Sequence, residues 1–304
     1  MHIQPSTYQT SDGLNISYHH YGVAGGKPAF YFHGLPGSRY EGELLHTAAI
    51  NAGVELIAPD RFGYGDTTPV STDRYLRWVG AIAELADELC FRQFYVLAAS
   101  GGAPYALACA SRLHTRVIAT GIACGLGPLA VSSLHRSMAL MERMAAWLGR
   151  HAPLLLTLSY GSLARLLVRY FPRQMLNLVG WYNGGADKEI LADPDVRRIL
   201  TANLRCAFKQ GSTGGVQDLM AVTRPWPFDL TAIHTLQLWH GDKDPIVPLL
   251  HSQWITQHVP HAQLRIIENE GHFSLPIKYA QQIITRLVDL ANTSNDHAAI
   301  PLAD

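Results

Sequence analysis

Three residues that together could transfer an acyl group occur in the order serine, aspartate, histidine, and each follows a short apolar run. They are Ser100, Asp244 and His272. A histidine can take the proton of a serine hydroxyl as that oxygen attacks a carbonyl carbon, and a carboxylate can hold the imidazole in the required tautomer. The sequence therefore offers a candidate nucleophile, base and acid for covalent catalysis.

The candidate nucleophile lies in the run Ala98-Ala99-Ser100-Gly101-Gly102, between a predicted strand and a predicted helix. Small residues on both sides allow a strand to turn sharply into a helix, and such a turn exposes a serine hydroxyl at the end of a sheet. The N-terminus of the following helix adds backbone N–H groups and the positive end of a helix dipole. A glycine-rich packing turn is the alternative interpretation.

A second loop with possible chemistry is the run HGLPGS, residues 33–38, directly after another apolar run. Two glycines and a proline within six residues favour a tight turn. Such a loop can aim the backbone N–H of Leu35 at a developing oxyanion, with His33 and Gly34 supporting it. An ordinary strand-to-helix turn would have the same composition.

The acid and the base are each chosen among several residues of the same type. Asp242 and Asp244 both follow the run 235–240, and Asp244 is preferred because it precedes a proline-bounded segment where a buried carboxylate could orient an imidazole. Among fifteen histidines, His272 is preferred because it follows the last predicted strand on a loop marked by Gly271.

The elements that must position these residues alternate between strand and helix. Runs with strand character occupy 14–21, 29–33, 54–59, 94–99, 116–124, 235–240 and 262–268, and helical spacing occupies 41–52, 73–89, 103–112, 247–258 and 276–291. Asp73 is the predicted N-cap of the second helix. This alternation predicts an α/β fold, with a mostly parallel central sheet covered by helices on both faces. Sites of such sheets lie at the carboxyl ends of the strands, where the candidate residues occur.

The region 125–228 shows helical patterns and no convincing strand, which predicts a helical insertion after about the sixth strand. The predicted core is therefore 1–124 with 229–291, and residues 292–304 are expected to form a flexible tail. Two apolar stripes in the insertion favour packing in its interior. They are Met138, Met141, Met144, Ala145 and Leu148, and Leu163, Leu166, Leu167 and Tyr170.

These features together resemble the α/β-hydrolase superfamily, and within it the bacterial capped serine hydrolases with an H-G-x-P-G-S loop and a D-R-x-G-Y-G segment. The second of these is DRFGYG, residues 60–65, and the resemblance extends from about Tyr8 to Leu290. It implies an α/β-hydrolase fold with a helical cap, a Ser100–Asp244–His272 triad, and an oxyanion hole formed by the N–H groups of Leu35 and Gly101. Ala98 replaces the first glycine of the usual elbow pattern, which leaves every catalytic group in place.

The expected activity is that of a carboxylesterase-like serine hydrolase acting on an ester, thioester or lactone of small to medium, largely apolar character. Related epoxide hydrolases and haloalkane dehalogenases use aspartate as nucleophile, whereas this chain has Ser100. The alternatives are an aminopeptidase-like amide hydrolase, a lyase, cyclase or acyltransferase on the same triad, and a ligand-binding protein without catalysis. An aminopeptidase would need cap carboxylates for a free amine, which the sequence does not locate.

Composition limits the partners. Lys plus Arg and Asp plus Glu each number 24, so a zero net charge without a basic block argues against nucleic acid. The N-terminus lacks a signal-peptide pattern, and the longest apolar region, 152–171, is interrupted by Arg165 and Arg169, so we expect a cytoplasmic protein with no membrane partner. The four cysteines are interpreted as small core residues, and we expect a small-molecule substrate, no metal and no cofactor. The oligomeric state stays open.

Overall fold

The computed structural model describes residues 5–298, except for the side chains of Tyr160 and of residues 291–298. Its centre is an eight-stranded sheet in the order β1-β2-β4-β3-β5-β6-β7-β8. The pairings β1–β2 and β2–β4 are antiparallel, and all the others are parallel. The strands are β1 Ser6–Gln9, β2 Asn15–Gly22, β3 Lys27–Phe32, β4 Val54–Pro59, β5 Phe94–Ala99, β6 Val117–Ala123, β7 Leu236–Gly241 and β8 Gln263–Ile267. The predicted fold class is confirmed.

The helices of the sheet domain lie on both faces of the sheet. They are α1 His46–Asn51, α2 Arg74–Glu88, α3 Ala103–Arg112, α12 Leu250–His258, α13 Ser274–Lys278 and α14 Ala280–Ala298. Side chains of β5 alternate between two cores: Val96 packs with α2 and α3, whereas Leu97 packs with α1 and α14. This double coverage explains why β5 is apolar at every position.

A helical layer, which we call the cap, lies between β6 and β7. Its helices are α4 Ser132–Ser137, α5 Leu140–His151, α6 Pro153–Leu156, α7 Ser162–Tyr170, α8 Pro172–Asn183, α9 Gly185–Ile190, α10 Pro194–Ala207 and α11 Thr213–Val222. A single π-helical turn, Thr157–Gly161, joins α6 to α7. The inner sides of α7, α8 and α10 share a buried cluster that includes Val168, Leu176 and Leu200. Tyr64 also belongs to this cluster, so the cap packs on the sheet domain through the same apolar residues that hold its helices together.

Several local predictions differ from the structure. The short edge strand β1 was not anticipated, and the helix expected over 41–52 begins with a 3-10 segment, Arg39–Leu45. Asp73 is the N-cap residue of α2, but its side chain makes no capping hydrogen bond, because its backbone adopts a left-handed conformation in place of the extended one that a capping side chain needs. Helix α14 continues to Ala298, and residues 299–304 of the predicted tail lie outside the described residues.

Two predictions about burial were also wrong. Cys90 is exposed at the end of α2, although the other three cysteines are buried. In the cap stripes Met138 is buried, but Met141, Met144 and all four residues of the second stripe are exposed. Small or branched residues on the opposite sides of these helices make the packing contacts instead. Within residues 5–298, no helix combines the length and the hydropathy needed to cross a bilayer.

Candidate active site

Ser100 lies directly after β5, in the 3-10 turn Ser100–Gly102 that leads into α3. Its φ of 52° falls in the left-handed region, which residues other than glycine adopt rarely and which is typical of a nucleophile elbow. A Cβ on Gly102 would lie 2.2 Å from the carbonyl oxygen of Phe32, so the turn packs closely against the end of β3. Glycine at position 102 is therefore required by the approach of two backbones.

The loop after β3 brings a second backbone amide to the same place. A Cβ on Gly101 would lie 2.5 Å from Leu35 Cβ and 3.3 Å from the Leu35 nitrogen. A Cβ on Gly34 would lie 3.7 Å from Ser100 Cβ. The Leu35 and Gly101 amides are thus adjacent, beside the serine, as an oxyanion hole requires.

The acid–base pair is formed by Asp244 and His272. His272 Nδ1 lies 2.7 Å from Asp244 Oδ2, and Asp244 Oδ1 accepts the N–H groups of Ile246 and Val247 at 2.9 Å each. These bonds fix the carboxylate and leave His272 Nε2 as the ring nitrogen that can serve a substrate. Asp242 is exposed and accepts the Asn269 N–H at 2.6 Å, so it takes no part in this pair.

Burial and charge shift the pKa values of this pair in opposite directions. Burial alone would lower the pKa of His272, but the charge of Asp244 and its hydrogen bond raise it above the ordinary value, with further support from Asp187 and Glu41. Burial would raise the pKa of Asp244, but the His272 imidazole holds it below the usual range. The carboxylate therefore stays ionised and stabilises the imidazolium that proton transfer would create.

Ser100 lies where two cavities meet. One, of about 220 Å³, is lined by Ser100, His272, Leu35 and Glu41, with apolar side chains of α8, α10 and α13 completing its wall. The other, of about 330 Å³, also reaches Ser100 and Leu35. Its remaining wall is almost wholly apolar and comes from the cap, the loop after β6 and one residue of the loop after β7: Leu126, Leu129, Met138, Met141, Glu142, Met144, Ala145, Leu148, Leu156, Leu219, Val222 and Ile246.

Glu41 is a carboxylate of the first cavity that the sequence did not single out. Its Oε1 accepts the Tyr31 hydroxyl at 2.6 Å and the Gly34 N–H at 2.9 Å, and its Oε2 accepts from Asn203 Nδ2 at 3.3 Å. Burial raises the pKa of Glu41 above its ordinary value. Since Gly34 precedes Leu35, this carboxylate holds the loop that carries the candidate oxyanion donor.

Asp187, on the cap helix α9, is bound to the histidine loop. Its carboxylate accepts the backbone N–H groups of His272, Phe273 and Ser274 at 2.9, 3.0 and 2.8 Å. The side chain is only 1% exposed, and Asn183 Nδ2 donates to it at 3.0 Å. A cap residue thereby fixes the backbone that carries the base.

Asp218, on the cap helix α11, is bound to the DRFGYG segment. It pairs with Arg61 and Arg74 at 2.7 Å each, and it accepts the hydroxyls of Tyr64 and Tyr105. Burial would raise the pKa of Asp218, but the two guanidinium groups hold it far below the usual range. Arg61 in turn donates to the carbonyl of the loop residue His33 and to that of Gly34, so this buried network supports the candidate oxyanion loop.

His33 is part of that support and is not a base. Its Nδ1 lies 2.9 Å from the Gly34 oxygen, and its Nε2 accepts the Arg61 backbone N–H at 3.1 Å. Burial and the charge of Arg61 lower the pKa of His33 well below its ordinary value, which keeps the ring neutral.

Cys124 approaches the triad and makes a trio with Asp244 and His272 whose donor atoms lie within 4.8 Å of one another. Burial and the charge of Asp244 raise the pKa of the Cys124 thiol well above its ordinary value. The thiol points toward the Gly271 carbonyl at 3.8 Å. A metal would need the thiolate and would compete for the carboxylate oxygen that binds His272, so this trio fits a metal poorly.

Comparison with known proteins agrees with this fold. Residues 29–284 match the family described as the alpha/beta hydrolase family. A segment of 85 residues, 27% of this chain, is 35% identical to a non-heme chloroperoxidase from Streptomyces lividans and spans 31% of that protein.

Two solved structures share the fold over nearly their whole length. An esterase from Exiguobacterium antarcticum has a TM-score of 0.67 at 17% identity, covering 95% of this chain and 100% of its own. An epoxide hydrolase from Vigna radiata has a TM-score of 0.69 at 18% identity, covering 96% of this chain and 98% of its own. Because the family match spans most of the sheet domain and the whole cap, this chain belongs to the alpha/beta hydrolase family.

Proposed function

We propose that the protein is a carboxylesterase-like serine hydrolase that cleaves an ester, thioester or lactone of small to medium size and largely apolar character. The observation that carries the proposal is the 2.7 Å contact between Asp244 Oδ2 and His272 Nδ1, at the cavity that Ser100 also lines. A buried acid–base pair and a strained serine at one cavity are the groups that acyl transfer needs.

In the proposed reaction, the Ser100 hydroxyl oxygen forms a bond to the substrate carbonyl carbon while His272 Nε2 takes its proton. The carbonyl oxygen becomes negative and accepts hydrogen bonds from the N–H groups of Leu35 and Gly101. The loss of one such donor typically costs about 3 kcal/mol of transition-state stabilisation. Asp244 stabilises the imidazolium throughout.

The tetrahedral intermediate then collapses, and the bond to the leaving group breaks as His272 returns the proton to it. This leaves the acyl group on Ser100. A water molecule gives a proton to His272 and attacks the acyl carbon, and the reverse transfer releases the acid and restores the serine. Atoms and protons balance with no other reactant.

The substrate class is argued from the walls of the two cavities. Methionine, leucine and valine side chains dominate the second cavity, and those of the first are also mostly apolar. Because Ser100 lies between them, one cavity would take the acyl part and the other the leaving group. A series of p-nitrophenyl esters should show a rate that rises with acyl length and then falls. A rate that is flat across the series would count against an apolar acyl site.

The direct test of the nucleophile is labelling with a fluorophosphonate probe, which reacts with activated serines. We expect the wild-type chain to be labelled and Ser100→Ala to remain unlabelled. Ser212→Ala, at a serine outside both cavities, is the matched control and should label like wild type. A folded wild type that does not react would argue against an activated serine and for a ligand-binding role.

One observation favours a second candidate, an aminopeptidase-like hydrolase of amides or esters that carry an amine. Glu142 lines the second cavity, and its Oε2 is buried with no hydrogen-bond partner among the described residues. A substrate ammonium would satisfy that oxygen. Faster cleavage of an alanine ester than of the matching propionate ester, and loss of that preference in Glu142→Gln, would favour this candidate.

A further inference from the structure

The outer side of the cap is apolar to an unusual degree. Of the nineteen large apolar side chains that are exposed among the described residues, fifteen lie between positions 140 and 182. We call these the cap apolar face: Leu140, Met141, Met144, Trp147, Leu154, Leu155, Leu158, Leu163, Leu166, Leu167, Tyr170, Phe171, Leu178, Trp181 and Tyr182. They lie on α5, α6, the π-helical turn, α7 and α8, with Phe171 between the last two, and each of these elements packs against the next. Soluble monomers rarely expose so many large apolar side chains on neighbouring helices unless the surface binds something.

The packing of the cap explains why these side chains point outward. Helix α7 buries Ala164 and Val168 against the cap core, and α5 buries Ala146 and Gly149. A Cβ on Gly149 would lie 3.4 Å from the Leu219 backbone, so α5 meets α11 closely through a side without bulk. The large apolar residues occupy the opposite sides of the same helices, where no part of the described chain covers them.

The charge around this face is strongly positive, although the whole chain is neutral. Residues 132–183 contain one acidic residue, Glu142, and six arginines: Arg136, Arg143, Arg150, Arg165, Arg169 and Arg173. On α7, Arg165 and Arg169 alternate with the exposed leucines. Arg165, Arg169 and Arg173 take part in no ion pair with any described carboxylate.

A basic groove adjoins the cap apolar face between α8 and α10. Its arginines are Arg173, Arg197, Arg198 and Arg205, and Tyr170 joins its edge to the apolar face. Arg198 pairs with Glu43 at 2.8 Å and with Asp195 at 3.7 Å. Arg197 donates to the Asn177 amide oxygen and to the Arg173 carbonyl oxygen, and it forms no ion pair with a described carboxylate. The groove can therefore accept anionic groups beside an apolar surface.

We propose that the cap apolar face binds the surface of a bilayer that contains anionic lipids. Leucine and tryptophan side chains interleaved with arginines match the boundary between acyl chains and anionic headgroups. A second copy of this chain fits less well, because a two-fold contact would bring the same positively charged face of both copies together. Met141 and Met144 belong to both the face and the second cavity, so a bound bilayer would lie against the entrance to Ser100.

This inference differs from the expectation of no membrane partner. That expectation depended on the absence of a spanning segment, and none is found among residues 5–298. A helix that lies in the interface needs an apolar side and a basic flank, and it needs no spanning length. The inference does not depend on the proposed hydrolysis, because the cap apolar face and Ser100 can be tested separately.

The first experiment is flotation of the full chain with vesicles of phosphatidylcholine alone or of phosphatidylcholine mixed with phosphatidylglycerol. We expect binding to the mixed vesicles that weakens at high salt, and equal binding by Ser100→Ala. The double variant Leu163→Gln/Leu166→Gln should bind at least about tenfold more weakly, since each exposed leucine would lose its burial in lipid. Ile50→Gln and Ile266→Gln, at exposed sites of the sheet domain, are the matched controls and should bind like wild type.

A second pair of variants tests the charge. Arg165→Gln/Arg169→Gln should lose several-fold in affinity for the mixed vesicles and most of the salt dependence. Arg92→Gln, at an exposed arginine before β5, should change neither the affinity for the mixed vesicles nor its salt dependence. All these side chains are exposed, so circular dichroism and the rate on a short, water-soluble ester should match wild type.

Three results would overturn the inference. The first is that the chain floats with neither vesicle type, and the second is that the leucine variants bind as well as wild type. The third is that neither vesicle binds while sedimentation shows a dimer that the leucine variants convert to monomers, which would assign the face to a second copy.

Discussion

The carboxylate of Asp187, a cap residue, accepts the backbone N–H of the candidate base His272 at 2.9 Å. The same carboxylate also binds the next two N–H groups of that loop, so the position of the imidazole depends on the cap. Its negative charge adds to the interactions that raise the pKa of His272. Through Asp187 the cap therefore acts on both the place and the basicity of the base.

We expect Asp187→Asn to lower kcat by between about tenfold and a hundredfold, because small displacements of a catalytic group are costly. The acidic limb of the rate–pH profile should move to lower pH, since the removal of a nearby negative charge lowers the pKa of His272. Initial rates measured across a pH series would show both effects.

Glu189→Gln is the matched control, since Glu189 lies exposed on the same helix α9. The rate–pH profile of this variant should match that of wild type. A loss of thermal stability in Asp187→Asn without a shift of the acidic limb would indicate a purely structural role.

Asp244→Asn should lower kcat by about ten-thousandfold while the fold is retained. The amide oxygen can still accept the N–H groups of Ile246 and Val247, so the amide nitrogen would face His272 Nδ1. That contact favours the tautomer with its proton on Nε2, which cannot take a proton from Ser100. Single-turnover kinetics with a chromogenic ester would measure the loss.

Asp242→Asn, two residues earlier and exposed, is the control and should keep nearly full turnover. The wild-type acidic limb should lie above pH 6.5 or so, the ordinary pKa of histidine, because Asp244 raises the pKa of His272. Full turnover in Asp244→Asn would show that another group is the acid.

The parts of the site that the sequence predicts are those that leave a local signal. Small residues around Ser100 and glycines around Leu35 stand together in short runs that are typical of sharp turns between a strand and a helix. The parallel sheet then brings the ends of its strands to one edge, so the candidate residues meet although they are distant in sequence. The same logic does not reach Glu41, Asp187 or Asp218, whose partners lie on other elements.

Helical spacing finds the cap helices but does not tell which side is buried. Helix α7 has Leu163, Leu166 and Leu167 on one side and Ala164 with Val168 on the other, and the bulkier side is exposed. Because both sides are apolar, periodicity alone cannot orient the helix.

Asn203 is a site residue that the sequence could have indicated. It lies next to Leu204 on the buried side of α10, and a buried polar side chain needs a hydrogen-bond partner.

Asp218→Asn should destabilise the fold by about 3–5 kcal/mol, because it leaves Arg61 and Arg74 as buried charges without a partner. Chemical denaturation followed by tryptophan fluorescence would measure the loss. Asp195→Asn, at an exposed position of the cap, should stay within about 0.5 kcal/mol of wild type.

The buried Asp218 also predicts how the stability of the fold depends on pH. The folded-state pKa of Asp218 lies below the unfolded one, so its contribution is present above the ordinary aspartate pKa of about 3.9 and is lost as the pH falls below it. Between neutral pH and pH 3 or so, wild type should therefore lose more stability than Asp218→Asn. Parallel losses in the two proteins would show that this carboxylate is not responsible.

Gly102→Ala should disrupt the nucleophile turn. The new Cβ would lie 2.2 Å from the carbonyl oxygen of Phe32 and 2.8 Å from that of His33, and backbone atoms cannot move aside as the end of a flexible side chain can. Relief of this clash must push Ser100 away from the loop that carries Leu35, so we expect a loss of both thermal stability and fluorophosphonate labelling.

Gly80→Ala is the matched control: Gly80 lies within α2, and the Cβ of an alanine there would meet no atom within 4 Å. It should raise stability by about 0.5–1 kcal/mol through helix propensity and leave labelling intact, whereas normal labelling of Gly102→Ala would contradict the close packing of the turn against β3.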